Sequence, residues 1–235
     1  YKVSREYKSS DKVLFPRMGH NDPNRKRYYQ REWMGRQGEP SFADNISFFI
    51  RYQINWMYWR YFLQNFVGRL NAVQGYTPAN VADGQWYSGI GFIDGNRLYN
   101  MDKEPDIRAE EEGRNAYYFL PLIFGIIGMV FLFGRRRRDF FTLLLLFLIT
   151  GIGIIIYSNQ PPHEPRERDY VLVGSFFTFA IFIGMAVLSI FEFLREKVQS
   201  IPSVGSAALA GAIVLTAPVI MAFQNYDDMG RQDLY

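Results

Sequence analysis

A proline-rich loop in the C-terminal half of the 235-residue chain holds the densest group of residues that could do chemistry. Its ionisable residues are His163, Glu164, Arg166, Glu167, Arg168 and Asp169. Arg166 and Arg168 could bind a phosphate or carboxylate through paired N–H donors. Glu167, Asp169 or His163 could act as general acid or base if burial raised the pKa of a carboxyl group. The alternative is a loop that neutralises itself through local ion pairs, and the pattern alone fixes no reaction.

A second group of candidate residues lies on a predicted helix from Ser47 to Leu70, with Asp44 or Asn45 as its N-cap. At about 100° per residue, apolar side chains form one broad stripe. The stripe holds Phe48, Phe49, Tyr52, Trp56, Trp59, Leu63 and Phe66. The polar residues follow two lines, which are Arg51, Asn55, Asn65 and Arg69, and then Gln53, Arg60 and Gln64.

Two polar lines on this helix predict that one faces solvent and the other faces a polar cavity or ligand. Arg60, Asn65 and Arg69 are the candidate ligand contacts. The alternative is an interfacial anchor helix, whose tyrosines and tryptophans lie at the membrane surface while its arginines extend toward water.

Composition argues against several other kinds of chemistry. His20 and His163 are the only histidines and cysteine is absent, so metal-ligand spacing, disulfides and a cysteine nucleophile are excluded. No glycine-rich phosphate loop follows a predicted strand. The net charge of +3 is too small, and too mixed with acidic residues, to indicate nucleic acid as a partner.

Four apolar runs must position the candidate groups. They extend over residues 117–134, 140–158, 171–193 and 204–224. A helix that crosses about 30 Å of hydrocarbon needs roughly 20 largely apolar residues, and glycines within the runs suit close helix contacts in lipid. The predicted fold class is therefore mainly α, a polytopic α-helical membrane protein with about four spans.

Charged linkers assign the two sides of this membrane domain. The basic linkers hold Arg135, Arg136, Arg137 and Arg138 after the first run, and Arg195 and Lys197 after the third. Positive charge marks the cytoplasmic side. Residues 1–116, the loop 159–170 and the tail 225–235 are therefore expected on the exoplasmic face.

The predicted organisation has five segments, and the polar opening without an initiator methionine leads us to expect a fragment of a longer protein. The segments are a polar exoplasmic stretch (1–40), the aromatic amphipathic helix (41–72), a Gly/Asn/Asp-rich exoplasmic loop (73–116), the four-span domain (117–224) and an exoplasmic tail (225–235).

Short segments spread over nearly the whole chain carry a family resemblance. They are residues 14–18 (LFPRM), 52–62 (YQINWMYWRYF), 65–69 (NFVGR), 86–90 (WYSGI), 165–170 (PRERDY) with 174–176 (GSF), and 225–228 (NYDD). In this order they resemble a family of large multi-span membrane proteins of Bacteroidetes, formerly of unknown function. That family is related to the transmembrane protein 260 type protein O-mannosyltransferases, in the lipid-sugar-dependent glycosyltransferase C class.

The resemblance implies a piece of a larger glycosyltransferase-C-like fold in the bacterial inner membrane, with the exoplasmic segments in the periplasm. Such enzymes transfer a sugar, here mannose, from a polyprenyl-phosphate donor to Ser or Thr of exported proteins. Membrane lipid, the lipid-linked sugar and the exported acceptor protein are the partners implied. The donor is the one ligand implied, because a metal ion is not uniformly required in this class.

Residue roles follow from the same resemblance. Arg166 and Arg168 would bind the donor phosphate, and Glu167 and Asp169 would orient those arginines or the sugar. The residues expected to line the site from the aromatic helix are Arg60, Asn65 and Arg69. The chain departs from the family in two places, because the acidic first exoplasmic loop has no counterpart and Met229 stands where a histidine usually follows two acids. The catalytic residue is therefore unassigned.

A second hypothesis is a non-catalytic membrane subunit that scaffolds a larger cell-envelope complex. A coupled transporter is disfavoured, because such proteins usually need an ionisable residue within the membrane and the four apolar runs carry none at mid-span.

Overall fold

The computed structural model describes residues 12–19, 22–109, 111, 113–162, 169–198 and 200–226, with the backbone alone at Asp102, Ile107 and Asp169. Within these residues the protein is mainly α-helical, as predicted. A layer of short helices and loops, here called the polar layer (12–119), precedes a group of long apolar helices.

The elements of the polar layer are α1 (Pro23–Tyr28) with a π-helical continuation (Tyr29–Met34), α2 (Phe42–Phe48), a π-helical stretch (Phe49–Arg60), α3 (Tyr61–Phe66), β1 (Gly68–Arg69), α4 (Gly91–Arg97), a 3₁₀ turn (Met101–Lys103), α5 (Asp106–Ala109) and β2 (Asn115–Ala116). The two strands pair antiparallel, Gly68 opposite Ala116.

The long helices are α6 (Leu120–Arg135), α7 (Arg137–Leu148) with a π-helical stretch (Ile149–Gly153) and α8 (Ile154–Ser158), then a 3₁₀ turn (Asp169–Leu172) leading into α9 (Val173–Lys197), and α10 (Ser203–Gln224).

The aromatic helix begins earlier than the sequence predicted. It starts at Phe42, because Ser41 and Asp44 form a reciprocal capping box. The Asp44 amide donates to Ser41 Oγ at 3.2 Å, and Asp44 Oδ2 accepts from the Ser41 amide at 2.8 Å. The predicted N-cap at Asp44 or Asn45 is therefore wrong. The helix ends at Phe66, since Gly68 has a φ of +134° that breaks the helix and opens the strand.

The buried stripe of this helix agrees with the predicted one at Phe48, Tyr52, Trp56 and Phe66 but departs from it between Tyr58 and Phe62. Trp59 is 37% exposed, whereas Tyr58 and Phe62 are 0% and 2% exposed. The cause is the π-helical winding of Phe49–Arg60, which bonds residue i to i+5 and so rotates each side chain away from its α-helical position. A prediction based on the α-helical period therefore loses its phase in the middle of this helix.

Among the residues that the structure describes, three helices are long and apolar enough to cross a membrane, which indicates a membrane protein: Arg137–Ser158, Tyr170–Lys197 and Ser203–Gln224. The first predicted span is shorter than expected. Helix α6 has 16 residues, or about 24 Å at 1.5 Å per residue. It begins only at Leu120 because Tyr118 and Phe119 have left-handed φ values of 52° and 61°.

Helices α6 and α9 run side by side in the same direction. Cβ atoms built on Gly125 and Gly128 would overlap the Phe179 ring and the Phe182 carbonyl, and Arg135 pairs with Glu192 farther along. Glycine at these two positions therefore allows the backbones to approach closely.

Helices α7 and α10 run opposite to this pair. Phe140 lies 6.2 Å from Phe182 and Phe147 lies 6.1 Å from Phe179, measured between ring centroids. At the far end of α10, Gln224 Oε1 accepts from the Ala116 amide at 3.0 Å. The polar layer and the loop after α8 therefore lie at one end of the helices, called here the polar end, and the arginine run lies at the other.

Candidate functional site at the polar end

The predicted loop site falls largely outside the residues that the structure describes. His163, Arg166, Glu167 and Arg168 lie outside them, as does the side chain of Asp169. Their predicted roles stay predictions. The described structure does show how the chain enters this loop, and which side chains surround the entry.

The loop begins at a hydrogen-bonded junction around Asn159. This residue ends α8 with a left-handed φ of 43°, and its Oδ1 accepts from Gln53 Nε2 at 2.9 Å and from Arg17 Nη1 at 3.4 Å. Arg17 Nη1 also donates to the Ile156 carbonyl at 2.8 Å. A cation at a helix C-terminus satisfies its free carbonyls and complements the helix dipole. The N-terminal segment, the aromatic helix and α8 therefore meet at this junction.

Arg17 is held in place by aromatic contacts as well. Its guanidinium carbon lies 4.0 Å from the centroid of the Phe15 ring and 5.5 Å from that of Phe49. The Gln53 side chain is fully buried, and its Oε1 has no hydrogen-bond partner among the described residues. A buried acceptor of this kind is available to a donor from the loop or from a bound group.

Beyond Asn159 the chain forms one wall of a cleft of about 190 Å³. The residues that line the cleft are Asn24, Arg25, Tyr28, Tyr29, Pro161 and Pro162. Burial raises the pKa of Tyr29 to about 12 and also raises that of Tyr28. Both phenols therefore remain protonated near neutral pH. The surface inside the cleft is mainly apolar, formed by the tyrosine rings and the prolines, and Asn24 and Arg25 add an amide and a guanidinium that can bind hydroxyl or anionic groups.

A larger and more open groove of about 670 Å³ continues from the cleft and shares Asn24 and Tyr28 with it. Three arginines line it, and each has a partner. Arg27 donates to Asn24 Oδ1 at 2.7 Å, Arg31 lies 3.6 Å from Glu32, and Arg36 pairs with Asp44. The carboxylates of Glu32 and Asp44 therefore offset part of the positive charge that the groove presents, whereas the neutral Asn24 amide leaves the charge of Arg27 in place.

The structure places Arg60 against the Gly-rich loop. Arg60 is 6% exposed, its Nη1 donates to the Gly84 carbonyl at 2.7 Å, and its Nε donates to the Trp56 carbonyl at 2.9 Å. Gln64 donates to the same Gly84 carbonyl at 2.8 Å. The polar line that holds Gln53, Arg60 and Gln64 is therefore buried within the protein, where it orients neighbouring segments.

The contacts of Asn65 and Arg69 differ from those of Arg60. Asn65 Nδ2 donates to the Tyr61 carbonyl of its own helix at 2.8 Å. Arg69 belongs to β1, and its Nε is buried without a hydrogen-bond partner among the described residues. Ligand contacts by these three residues remain predictions.

Two buried carboxylates that no sequence pattern indicated are engaged in internal contacts. Asp94 is fully buried, and it accepts from the Ser88 amide at 3.1 Å and from the Ser88 hydroxyl at 2.9 Å. Glu104 accepts from Arg114 at 2.6 Å and from the Tyr99 hydroxyl. Over the described part of the chain, no group of three or more His, Asp or Glu residues could hold a metal ion.

Sequence reasoning missed Arg17 and the tyrosine pair Tyr28–Tyr29. They lie in a short, basic segment with no clear helical or strand period, and their partners are more than a hundred residues away in sequence. The one available signal was the adjacent pair of tyrosines within an otherwise charged stretch, because aromatic residues surrounded by charge often mark a binding surface.

Comparisons with known proteins identify one family. Residues 1–50 match a family of unknown function (DUF8416), a range that includes Arg17 and the cleft residues of α1. No curated protein and no solved structure matches the chain. These comparisons provide no link to a glycosyltransferase.

Proposed function

We propose that this chain is part of a membrane glycosyltransferase of the bacterial inner membrane. It transfers a sugar, mannose by the family resemblance, from a polyprenyl-phosphate donor to Ser or Thr of exported proteins on the exoplasmic face. The observation that carries the proposal is the tyrosine- and arginine-lined cleft at Pro161 and Pro162, a few residues before Arg166 and Arg168.

The position of the cleft supports a lipid-linked donor. The cleft lies just beyond the end of Arg137–Ser158, a helix apolar and long enough to cross a membrane. A polyprenyl-phosphate sugar needs a site where a hydrocarbon chain can stay in lipid while its phosphate and sugar enter a polar pocket. The end of a membrane helix meets the first requirement, and Asn24 and Arg25 supply polar groups for the second in a cleft whose lining is otherwise mainly apolar.

Different side chains bind the phosphate and the sugar of the donor. Arg166 and Arg168 hold the donor phosphate by charge-assisted hydrogen bonds, and Glu167 and Asp169 orient them. His163, three residues before Arg166 in the sequence, adds a further contact to the donor, and Tyr28 and Tyr29 contact the sugar. Asn159, fixed by Gln53 and Arg17, sets the direction in which this loop leaves α8.

The residue that accepts the proton of the acceptor hydroxyl lies in another part of the complete enzyme. Asp94 and Glu104 are the buried carboxylates of the described region, and both are already engaged by internal donors. A general base must be within hydrogen-bond reach of the acceptor hydroxyl, and neither carboxylate lines the cleft.

The test is sugar transfer by the complete protein in which Arg166 and Arg168 are both changed to Ala. Each hydrogen bond to a charged group contributes roughly 1.5–3 kcal/mol, so transfer at low donor concentration should fall by about tenfold or more. The matched control is Arg137→Ala with Arg138→Ala, which removes two arginines at the opposite end and should leave transfer unchanged. Wild-type transfer by the loop variant, or an equal loss in the control, would contradict the donor-phosphate role.

One observation favours a second candidate, a non-catalytic scaffold in a cell-envelope complex. Within the described residues the buried charged groups Arg60, Asp94, Glu104 and Arg114 all make contacts that hold the polar layer together. An assay distinguishes the enzyme from the scaffold: the purified complete protein is incubated with a polyprenyl-phosphate sugar and a Ser-containing acceptor peptide. Transfer supports the enzyme, whereas co-purification of envelope proteins without transfer supports the scaffold.

A further inference from the structure

A short apolar segment of the polar layer is exposed at the polar end. Phe92 of α4 is 82% exposed, Ile90 is 38% exposed, and Tyr118 nearby is 47% exposed. A single exposed apolar residue needs no explanation, but three that lie together beside the start of an apolar helix do.

Several contacts fix this segment against the turn that precedes α6. A Cβ atom built on Gly89 would come within 2.7 Å of the Ala116 Cβ and 2.8 Å of the Tyr118 ring, so residue 89 lies directly on that turn. Trp86 contacts Phe119 at 6.0 Å between ring centroids. The buried Asp94 carboxylate then ties α4 back to Ser88. Phe92 is therefore held in position by its neighbours, although its own ring is exposed.

The ends of two apolar helices meet at this turn. Helix α6 begins at Leu120, directly after Phe119, and α10 ends at Gln224, whose side chain accepts from the Ala116 amide at 3.0 Å. Helix α10 is long and apolar enough to cross a membrane. The level at which these helices leave the hydrocarbon therefore lies close to residues 116–120, and so to Phe92.

The exposed surface of the segment carries no charge. From Trp86 to Asn96 the only charged side chain is Asp94, and it is fully buried. Moving such a surface into lipid desolvates no ion, which would otherwise oppose insertion. Arg97 directly follows this segment, its side chain is 25% exposed, and its guanidinium lies 3.7 Å from the centroid of the Trp86 ring, so the uncharged exposed surface is that of Ile90–Phe92. Tyr118 supplies an aromatic ring with a polar atom, the kind enriched at membrane interfaces.

We infer that the segment Ile90–Phe92 inserts the Phe92 ring into the membrane leaflet at the polar end, with Tyr118 at the headgroup level. The partner is the lipid surface itself. Insertion at this point fastens the polar layer to the bilayer at a second place, in addition to its covalent connection to α6. The inference does not depend on the proposed enzymatic function.

This chain contains no cysteine, so a cysteine introduced into it is its single labelling site. Any cysteine elsewhere in the complete protein is first replaced by Ser. The complete protein with Phe92→Cys, labelled with the fluorophore NBD, is reconstituted into vesicles of phosphatidylcholine and phosphatidylglycerol. The matched control is Lys103→Cys with the same label, an exposed position of the same loop region. We expect a blue shift of NBD emission at position 92, loss of emission when the lipids carry doxyl spin labels, and protection from aqueous iodide. The control should show strong iodide quenching and no lipid quenching.

Two results would overturn the inference. Equal iodide quenching at positions 92 and 103 would place Phe92 in water. A blue shift at position 92 without quenching by spin-labelled lipids would show that protein, either a second copy or another subunit, covers the segment in place of lipid.

Discussion

Some charged side chains of the polar layer are buried, and Glu104 shows how the free-energy cost of burying a charge is offset by an ion pair with Arg114. The Glu104 and Arg114 side chains are 3% and 14% exposed, and they pair at 2.6 Å. Burial alone would raise the pKa of Glu104, but hydrogen bonds from Arg114 and Tyr99 lower it overall, so the carboxylate stays charged. Arg114 also donates to the Leu70 carbonyl at 3.2 Å. This pair therefore joins the start of the Gly-rich loop to its end.

We predict that Glu104→Gln destabilises the protein. Removing one partner of a buried ion pair leaves an uncompensated charge and costs roughly 3 kcal/mol, here on Arg114. The free energy of unfolding in detergent, measured by urea titration, reports the loss. Asp106→Asn, at an exposed position nearby, is the control and should change stability little. A change at Glu104 no larger than at Asp106 would contradict this role.

The same pair gives a pH dependence whose sign is fixed. Because the folded-state pKa of Glu104 is lowered, its contribution to stability is complete above the ordinary carboxyl pKa. The contribution is lost as the pH falls through the lowered folded-state value. The free energy of unfolding of the Glu104→Gln variant should therefore fall less than that of the wild type when the pH is lowered through this range.

At the residue scale the sequence identified polar groups but not their partners. Arg60 and Gln64 were correctly grouped on one line of the aromatic helix, and both donate to the Gly84 carbonyl. That carbonyl lies in a loop without any periodic pattern, so nothing in the sequence distinguishes it from a ligand atom. Helical spacing predicts which side chains share a face, whereas the group that the face contacts depends on how a distant loop folds.

At the scale of elements, the close approach of α6 to α9 depends on glycine. We predict that Gly128→Ala separates these helices, because the new Cβ would overlap the Phe182 carbonyl, a backbone atom that cannot rotate away. Overpacking of this kind typically costs about 1–3 kcal/mol. Gly134→Ala in the same helix meets nothing within 4 Å and is the matched control.

The measurement is the apparent melting temperature of each variant in the same detergent, determined by scanning fluorimetry. A clear fall for the Gly128 variant with little change for the Gly134 variant is the expected result. Equal melting temperatures for the two variants would mean that α6 and α9 are not in contact at Phe182.

The extent of the long helices could be predicted to within a few residues, and that of the aromatic helix only in part. A run of about 20 apolar residues has few alternatives to a helix. The late start of α6, at Leu120 instead of residue 117, was missed because it depends on the left-handed backbone at Tyr118 and Phe119, which aromatic residues seldom adopt. The π-helical winding of Phe49–Arg60 was missed because it has no reliable sequence pattern.

For the whole molecule, the alternating directions of the helices bear on how the chain crosses the membrane. Helix α6, with 16 residues, is shorter than the roughly 20 residues that usually span a membrane. It nevertheless packs along α9 from Gly125 to its end, where Arg135 pairs with Glu192. A short span is accommodated by local thinning of the bilayer at modest cost. We therefore predict that α6 crosses together with the three longer helices.

Single cysteines at Lys103, Arg137 and Lys197, each introduced into the cysteine-free chain, test this topology. A membrane-impermeant maleimide added to intact cells with a permeable outer membrane should label position 103. It should label positions 137 and 197 only after the inner membrane is opened. Labelling of 103 and 137 from the same side would show that α6 does not cross.

The order of the helices has a consequence for how the protein enters the bilayer during synthesis. Helices α6 and α7 form one hairpin with Arg135–Arg138 at its turn, and α9 and α10 form a second with Arg195 and Lys197 at the end of α9. Under the predicted topology each hairpin is inserted as a unit, and its arginines and lysines never pass through hydrocarbon. Between the hairpins only the loop 159–170 must be translocated, and its three acidic residues outnumber its two arginines. The loop that the proposed chemistry requires is therefore also one whose charge does not resist export.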